Sequence, residues 1–205
     1  NLSGLLDYKL PQDNNLILFN VPEYFNFNQG LNTFKFLVNV RDPRDLLCNM
    51  YHWALIHPEP NLTDEELNEK RESVTSAGID QFVLGKDISG FYKSILTIVQ
   101  QVSPEKVCFS TYKKLCCDFD DFITEVCDFL AVDISLHSLE ELEIERVVNL
   151  KENREWIGNA WAGSDVMPGR YSNELKLDTI SELNSRYRDI IKFCDQADNT
   201  WRFTR

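Results

Sequence analysis

No apolar run in this chain of 205 residues approaches the ~20 residues that cross a bilayer as a helix, so no transmembrane segment is expected in it. Basic charge is scarce. Lys and Arg number 21 against 33 Asp and Glu, a net charge of −12. Nucleic acids and anionic membranes both require a basic footprint and are not expected as partners. Histidine is rarer still. His52, His57 and His137 stand at no spacing that metal sites use, and no C-x-x-C pair occurs, so no metal is expected. No G-x-x-x-x-G-K-[ST] loop is present, which removes the usual mark of a P-loop kinase. Repeats and low-complexity tracts are absent as well.

The chain does hold ample apolar material. At 43% hydrophobic and 12% aromatic residues it can build one core of ordinary size, and residues 1–205 read as a single domain. Cys48, Cys108, Cys127 and Cys194 lie among apolar neighbours and read as buried thiols. Cys116 and Cys117 are adjacent, a geometry that strains a disulfide. Reduced thiols in a cytoplasmic protein account for this pattern.

The most informative stretch is Phe34–His52. Phe36-Leu37-Val38-Asn39-Val40 is short, apolar and partly β-branched, the pattern of a buried strand in a parallel sheet. Asp42 is placed to cap a helix, with Pro43 at its first position, where a missing N–H costs nothing. Anions bind at the carboxyl ends of such strands, beside helix N-termini. Arg41 stands there with a permanent charge and a fork of donors suited to phosphate. Two readings are open: Arg41 and Arg44 bind an anion, or they only pair with Asp42 and Asp45.

The segment RDPRD-LLCNMYHW, with His57-Pro58-Glu59-Pro60 after it, resembles the 3′-phosphate-binding segment of sulfotransferases that use 3′-phosphoadenosine 5′-phosphosulfate (PAPS). In that family an arginine and a serine eight residues later hold the 3′-phosphate. Arg41 matches the arginine and Asn49 falls on the serine, its amide able to donate as a hydroxyl does. Asn49 lies nearly two helical turns beyond Asp42, on the same face and roughly 10 Å along the axis. Val107–Leu115 resembles a later strand that ends in an adenine-side tyrosine, matched by Tyr112, which otherwise reads as a strand-end packing residue. Phe119–Leu130 resembles the family's following helix. Pro168-Gly169-Arg170-Tyr171 resembles its Gly-Asp-Trp-Arg or Gly-Asp-Trp-Lys segment. The family's Arg-Lys-Gly falls on Ser164-Asp165-Val166, which leaves Arg170 as the nearby cation. The resemblance runs patchily over residues 16–195.

Two positions depart further. The histidine that serves as base in many cytosolic members falls on Asn20, after the strand Leu16–Phe19. An amide takes no proton at neutral pH, so Asn20 can orient an acceptor hydroxyl or simply form the turn before Pro22. An alternative alignment on Tyr8-Lys9-Leu10-Pro11 lacks the preceding strand. The family's Gly/Ser/Thr-rich phosphosulfate loop has no counterpart in residues 1–11, and fold logic leads us to expect its strand and loop upstream of Asn1.

The resemblance implies an α/β fold, a three-layer sandwich around a central parallel sheet of the P-loop NTPase-like sulfotransferase kind. Parallel strands are expected near Leu16–Phe19, Phe36–Val40 and Val107–Thr111, with helices starting near Asp42, Asp87 and Phe119. It also implies sulfuryl transfer from PAPS to a hydroxyl or amine on a small-molecule or glycan acceptor. A catalytically silent binding protein on the same fold is the alternative, favoured by Asn20 and by the two missing motifs. A small-molecule kinase would need the absent Walker-type loop.

The remaining segments follow an α/β rhythm. Pro58–Gly85 reads as a polar surface insertion containing a helix plus loops. Within it Asn61-Leu62-Thr63 is a formal glycosylation sequon but reads better as a helix start, with Thr63 and Glu66 forming a capping box. Ile88, Phe91, Ile95, Ile98 and Val102 recur at helical spacing as a core-facing stripe that stops near Pro104. Leu139–Glu155 reads as an acidic helix and Asn159–Ser172 as a long irregular segment. A final helix is expected over about residues 178–196, with Ile180, Leu183, Tyr187, Ile190 or Ile191, and Cys194 on one stripe.

Overall fold

The computed structural model describes residues 35–150 and 167–199, except for the side chains of residues 98, 99 and 145–150. Two five-residue strands, β1 (Phe36–Val40) and β2 (Val107–Thr111), pair in parallel from Phe36 opposite Val107 to Val40 opposite Thr111. Parallel neighbours need a long crossover. Here it consists of α1 (Pro43–Ile56), α2 (Asp64–Leu84) and α3 (Ser89–Gln100), then a 3₁₀ turn at Pro104–Lys106. Beyond β2 come α4 (Tyr112–Cys117), α5 (Phe119–Leu130), α6 (Leu136–Leu150), α7 (Tyr171–Glu174), α8 (Leu177–Arg186) and α9 (Arg188–Asn199).

Both described strands and the three helix starts agree with the sequence pattern. The breadth of the sheet does not. Among the described residues it has two strands flanked by many helices, so the expected three-layer sandwich is not visible in them. The third expected strand, Leu16–Phe19, lies outside the described residues. β2 is buried along its whole length, whereas β1 leaves Leu37 45% exposed. It therefore shows the alternation of a strand covered on one face and not the continuous burial expected of it.

Two apolar clusters hold the elements. One joins Leu47 and Cys48 of α1 to Val83, Tyr92, Leu183 and Tyr187. The other packs Val40, Val107 and Phe109 against Cys194 and Ala197 of α9. The Phe109 and Phe193 rings meet edge-on at 4.9 Å.

The α2 start is the expected capping box: the Thr63 hydroxyl accepts from the Glu66 N–H, and the Glu66 carboxylate accepts from the Thr63 N–H at 2.8 Å. Thr63→Ala is expected to lower stability by about 1 kcal/mol, read as a lower melting temperature. Most of the insertion is this one helix, kinked at Gly78, whose φ of 71° suits glycine alone.

Three expectations need correction. On α3, Phe91 is 40% exposed and Tyr92 is buried in its place; Ile88, Ile95 and Val102 are buried as expected, and the side chain of Ile98 lies outside the described residues. The reason is polar: the Tyr92 hydroxyl donates to the Arg41 carbonyl. The final helix is broken at Tyr187 into α8 and α9. Tyr187 is buried there, donating to the Lys86 carbonyl at 3.2 Å and accepting from the Ile88 N–H at 3.3 Å. All six cysteines are free thiols, but Cys127 is half-buried while Cys116 is buried. The distal part of the expected 139–155 helix and most of the irregular 159–172 segment lie outside the described residues.

Candidate anion-binding site

The parallel register assembles the site. Because Val40 pairs with Thr111, the next residue of each strand, Arg41 and Tyr112, emerges at the same edge. The Arg41 guanidinium stacks on the Tyr112 ring, 4.2 Å from its centre. Tyr112 opens α4, where Thr111 caps the helix by accepting from the Lys114 N–H. Burial pushes the Tyr112 phenol up to about 12, so the ring is neutral.

Arg41 and Arg44 have different fates. Arg44 is structural: its Nε donates to Asp42 at 2.9 Å, Nη1 donates to Asn184 at 2.8 Å, and its guanidinium lies over the Tyr171 ring. Asp42 also caps α1 by accepting from the Arg44 N–H. Arg41 does not pair with Asp42. Its Nε and Nη2 are buried and have no hydrogen-bond partner. A buried cationic donor left unpaired costs about 1–3 kcal/mol or more, and an anion is the natural partner.

Arg170 reaches the same place from the far end of the chain. It is 1% exposed. Nε donates to Glu174 Oε1 at 2.8 Å and Nη2 lies 2.6 Å from the same oxygen, while Nη1 is buried and unpaired. The segment that carries it is tied to α1 by Asp45, itself 2% exposed, which accepts from the Gly169 N–H at 2.7 Å and the Tyr171 N–H at 3.2 Å. Gly169 has a φ of 89°, a turn that favours glycine. Arg41 and Arg170 both act electrostatically on Tyr112 and on Cys48, and the Arg170 segment docks on Asp45, one helical turn beyond Arg41. Cys48 is no nucleophile there, because burial pushes its thiol up to about 12.

Of the residues singled out by sequence, the structure stacks Arg41 on Tyr112 and docks the segment carrying Arg170 on α1, the helix that follows Arg41. Asn49 is half-buried next to Cys48 on α1, and no described contact joins it to those three. Asn20 and Ser164–Val166 lie outside the described residues. The sequence offers Asp45 only as an ion-pair partner of Arg41 and Arg44; its hold on the Gly169 and Tyr171 N–H groups, more than a hundred positions away, was not foreseen. Sequence reasoning also missed Glu174 and His52, although the i,i+4 spacing of Arg170 and Glu174 was a visible signal.

Burial raises the Asp45 carboxyl above its ordinary value and outweighs its two backbone hydrogen bonds. A raised acid stabilises the fold below its unfolded value and loses that contribution as pH rises through the folded one. Wild type is thus expected to lose stability relative to Asp45→Asn over the pH window that opens at the ordinary carboxyl value and runs upward from it. Melting temperatures of the two proteins across that window check it; a relative gain on raising pH would contradict burial as the dominant influence.

Residues 25–155, more than half of the chain, match the family model described as the sulfotransferase domain. The chain belongs to the sulfotransferase domain family. The matched span contains Arg41, Asn49 and Tyr112, and membership implies a P-loop-like α/β fold and supports sulfotransfer as the general activity. No curated protein and no solved structure matches the chain. Among the described residues no helix is long and apolar enough to cross a membrane, and no group of three or more His, Cys, Asp or Glu could hold a metal ion.

Proposed function

We propose that this protein transfers a sulfuryl group from PAPS to a hydroxyl or amine of a small-molecule or glycan acceptor. The observation that supports the reading is a pair of arginines with buried, unpaired nitrogens, Arg41 stacked on Tyr112 and Arg170 on the segment docked against α1. Arg41 Nε and Nη2 and Arg170 Nη1 supply three donors of fixed charge, the chemistry that recognises a phosphate dianion. They would hold the 3′-phosphate, Tyr112 would flank the adenine, and the Asn49 amide would add a donor from α1. We read residues 1–205 as a single cytoplasmic domain whose two described strands belong to the central sheet of a three-layer sandwich.

In the reaction the acceptor oxygen or nitrogen attacks sulfur in line with the bond to the 5′-phosphate. That S–O bond breaks, its electron pair leaves on the phosphate of 3′-phosphoadenosine 5′-phosphate, and a base takes the acceptor's proton. Arg41 and Arg170 bind and orient the donor; neither touches the sulfur in this reading. Asn20 would orient the acceptor without taking its proton.

Donor labelled in its sulfuryl group, incubated with the protein and a panel of phenols, alcohols, amines and oligosaccharides, tests the proposal. Label is expected on an acceptor with release of 3′-phosphoadenosine 5′-phosphate. Binding of donor without transfer to any acceptor would overturn it in favour of a silent sulfotransferase-fold binding protein.

A further inference from the structure

α7 has only four residues, too few to hold a buried cation in place by its own hydrogen bonds. Both ends are pinned to α1 instead. At the start, Asp45 accepts from the Gly169 and Tyr171 N–H groups. At the end, Glu174 divides its carboxylate. Oε1 takes Arg170 Nε, and Oε2 accepts from His52 Nε2 at 2.8 Å. His52 is one turn beyond Cys48 on α1, so the chain His52–Glu174–Arg170 runs from the helix that follows Arg41 to the second arginine of the site. Arg170 thereby hydrogen-bonds Glu174 through Nε and lies in ion-pair contact with it through Nη2, which makes no hydrogen bond, and leaves Nη1 with neither.

We infer that Glu174, anchored by His52, is a positioning residue that fixes Arg170 in the orientation that leaves Nη1 for the donor's 3′-phosphate. The inference rests on the reading of Arg41 and Arg170 as the 3′-phosphate site. It also makes a counterintuitive demand. A carboxylate beside a phosphate site repels the ligand, so removing it should tighten binding if its charge were all that mattered. A positioning role requires the opposite sign.

The test titrates 3′-phosphoadenosine 5′-phosphate and 5′-AMP into wild type and Glu174→Ala by calorimetry. The first ligand is expected to bind the variant on the order of tenfold more weakly, the scale of one charge-assisted hydrogen bond, with AMP affinity unchanged. AMP affinity also reports that the variant is folded. Glu174→Gln, which keeps an acceptor for Arg170 Nε, is expected to recover most of the loss. His52→Ala, which removes only the outer anchor from a partly exposed position, is expected to give a smaller loss of the same sign and serves if Glu174→Ala does not fold. Unchanged or tighter binding of 3′-phosphoadenosine 5′-phosphate in these variants would overturn the inference while leaving the site reading intact. Equal affinity of wild type for the two ligands would overturn the site reading itself.

Discussion

Arg41→Ala is expected to weaken binding of 3′-phosphoadenosine 5′-phosphate by about 1.5–3 kcal/mol, the scale of charge-assisted hydrogen bonds to a buried anion. That is roughly a 10- to 150-fold rise in Kd. Stability should hold or rise in the same variant, because truncation relieves two buried unpaired nitrogens and gives up only the stack on Tyr112. The split between lost binding and retained fold separates a recognition role from a structural one. Arg44→Ala should show the reverse, since Arg44 is fully engaged with Asp42, Asn184 and Tyr171. An unchanged Kd for Arg41→Ala in titration calorimetry would remove Arg41 from the site.

The second large effect is expected from Leu47→Ala. Leu47 is fully buried in the cluster that joins α1 to residues of α2, α3 and α8. Truncation removes buried methyl groups and leaves a cavity among Val83, Tyr92, Leu183 and Tyr187, a loss of about 2–5 kcal/mol. Chemical denaturation of the two proteins measures it. A change below about 1 kcal/mol would mean that the cluster collapses around the gap or does not hold α1. The point bears on function because α1 carries Asp45 and His52, the two anchors of the Arg170 segment.

How far the chain was legible depends on the range of the interactions involved. β1 and β2 are short apolar runs bounded by breakers, and α1 and α2 begin with caps whose partners are two or three residues away. Such local chemistry is written in the sequence itself. The break at Tyr187 was not, because the apolar stripe of α8 continues in phase into α9 and periodicity reads straight through it. Nor was the choice between Phe91 and Tyr92: both are aromatic and adjacent, and a hydroxyl that reaches the Arg41 carbonyl decides it. At the site, the arginines and the tyrosine could be named from their motifs. Their anchoring could not, since Asp45 and Glu174 act across contacts that depend on how the 169–174 segment docks on α1. The exposed face of β1 likewise follows from packing and not from the composition of the strand.

If Arg41, Tyr112 and Arg170 form a pocket for a 3′-phosphate, it is read out in the ratio of affinities of the unmodified protein for 3′-phosphoadenosine 5′-phosphate and 5′-AMP. The two ligands differ only in that phosphate. A 3′-phosphate pocket gives a preference for the bisphosphate of about tenfold or more, the worth of at least one charge-assisted contact. Equal affinities at the same pH and salt would contradict it.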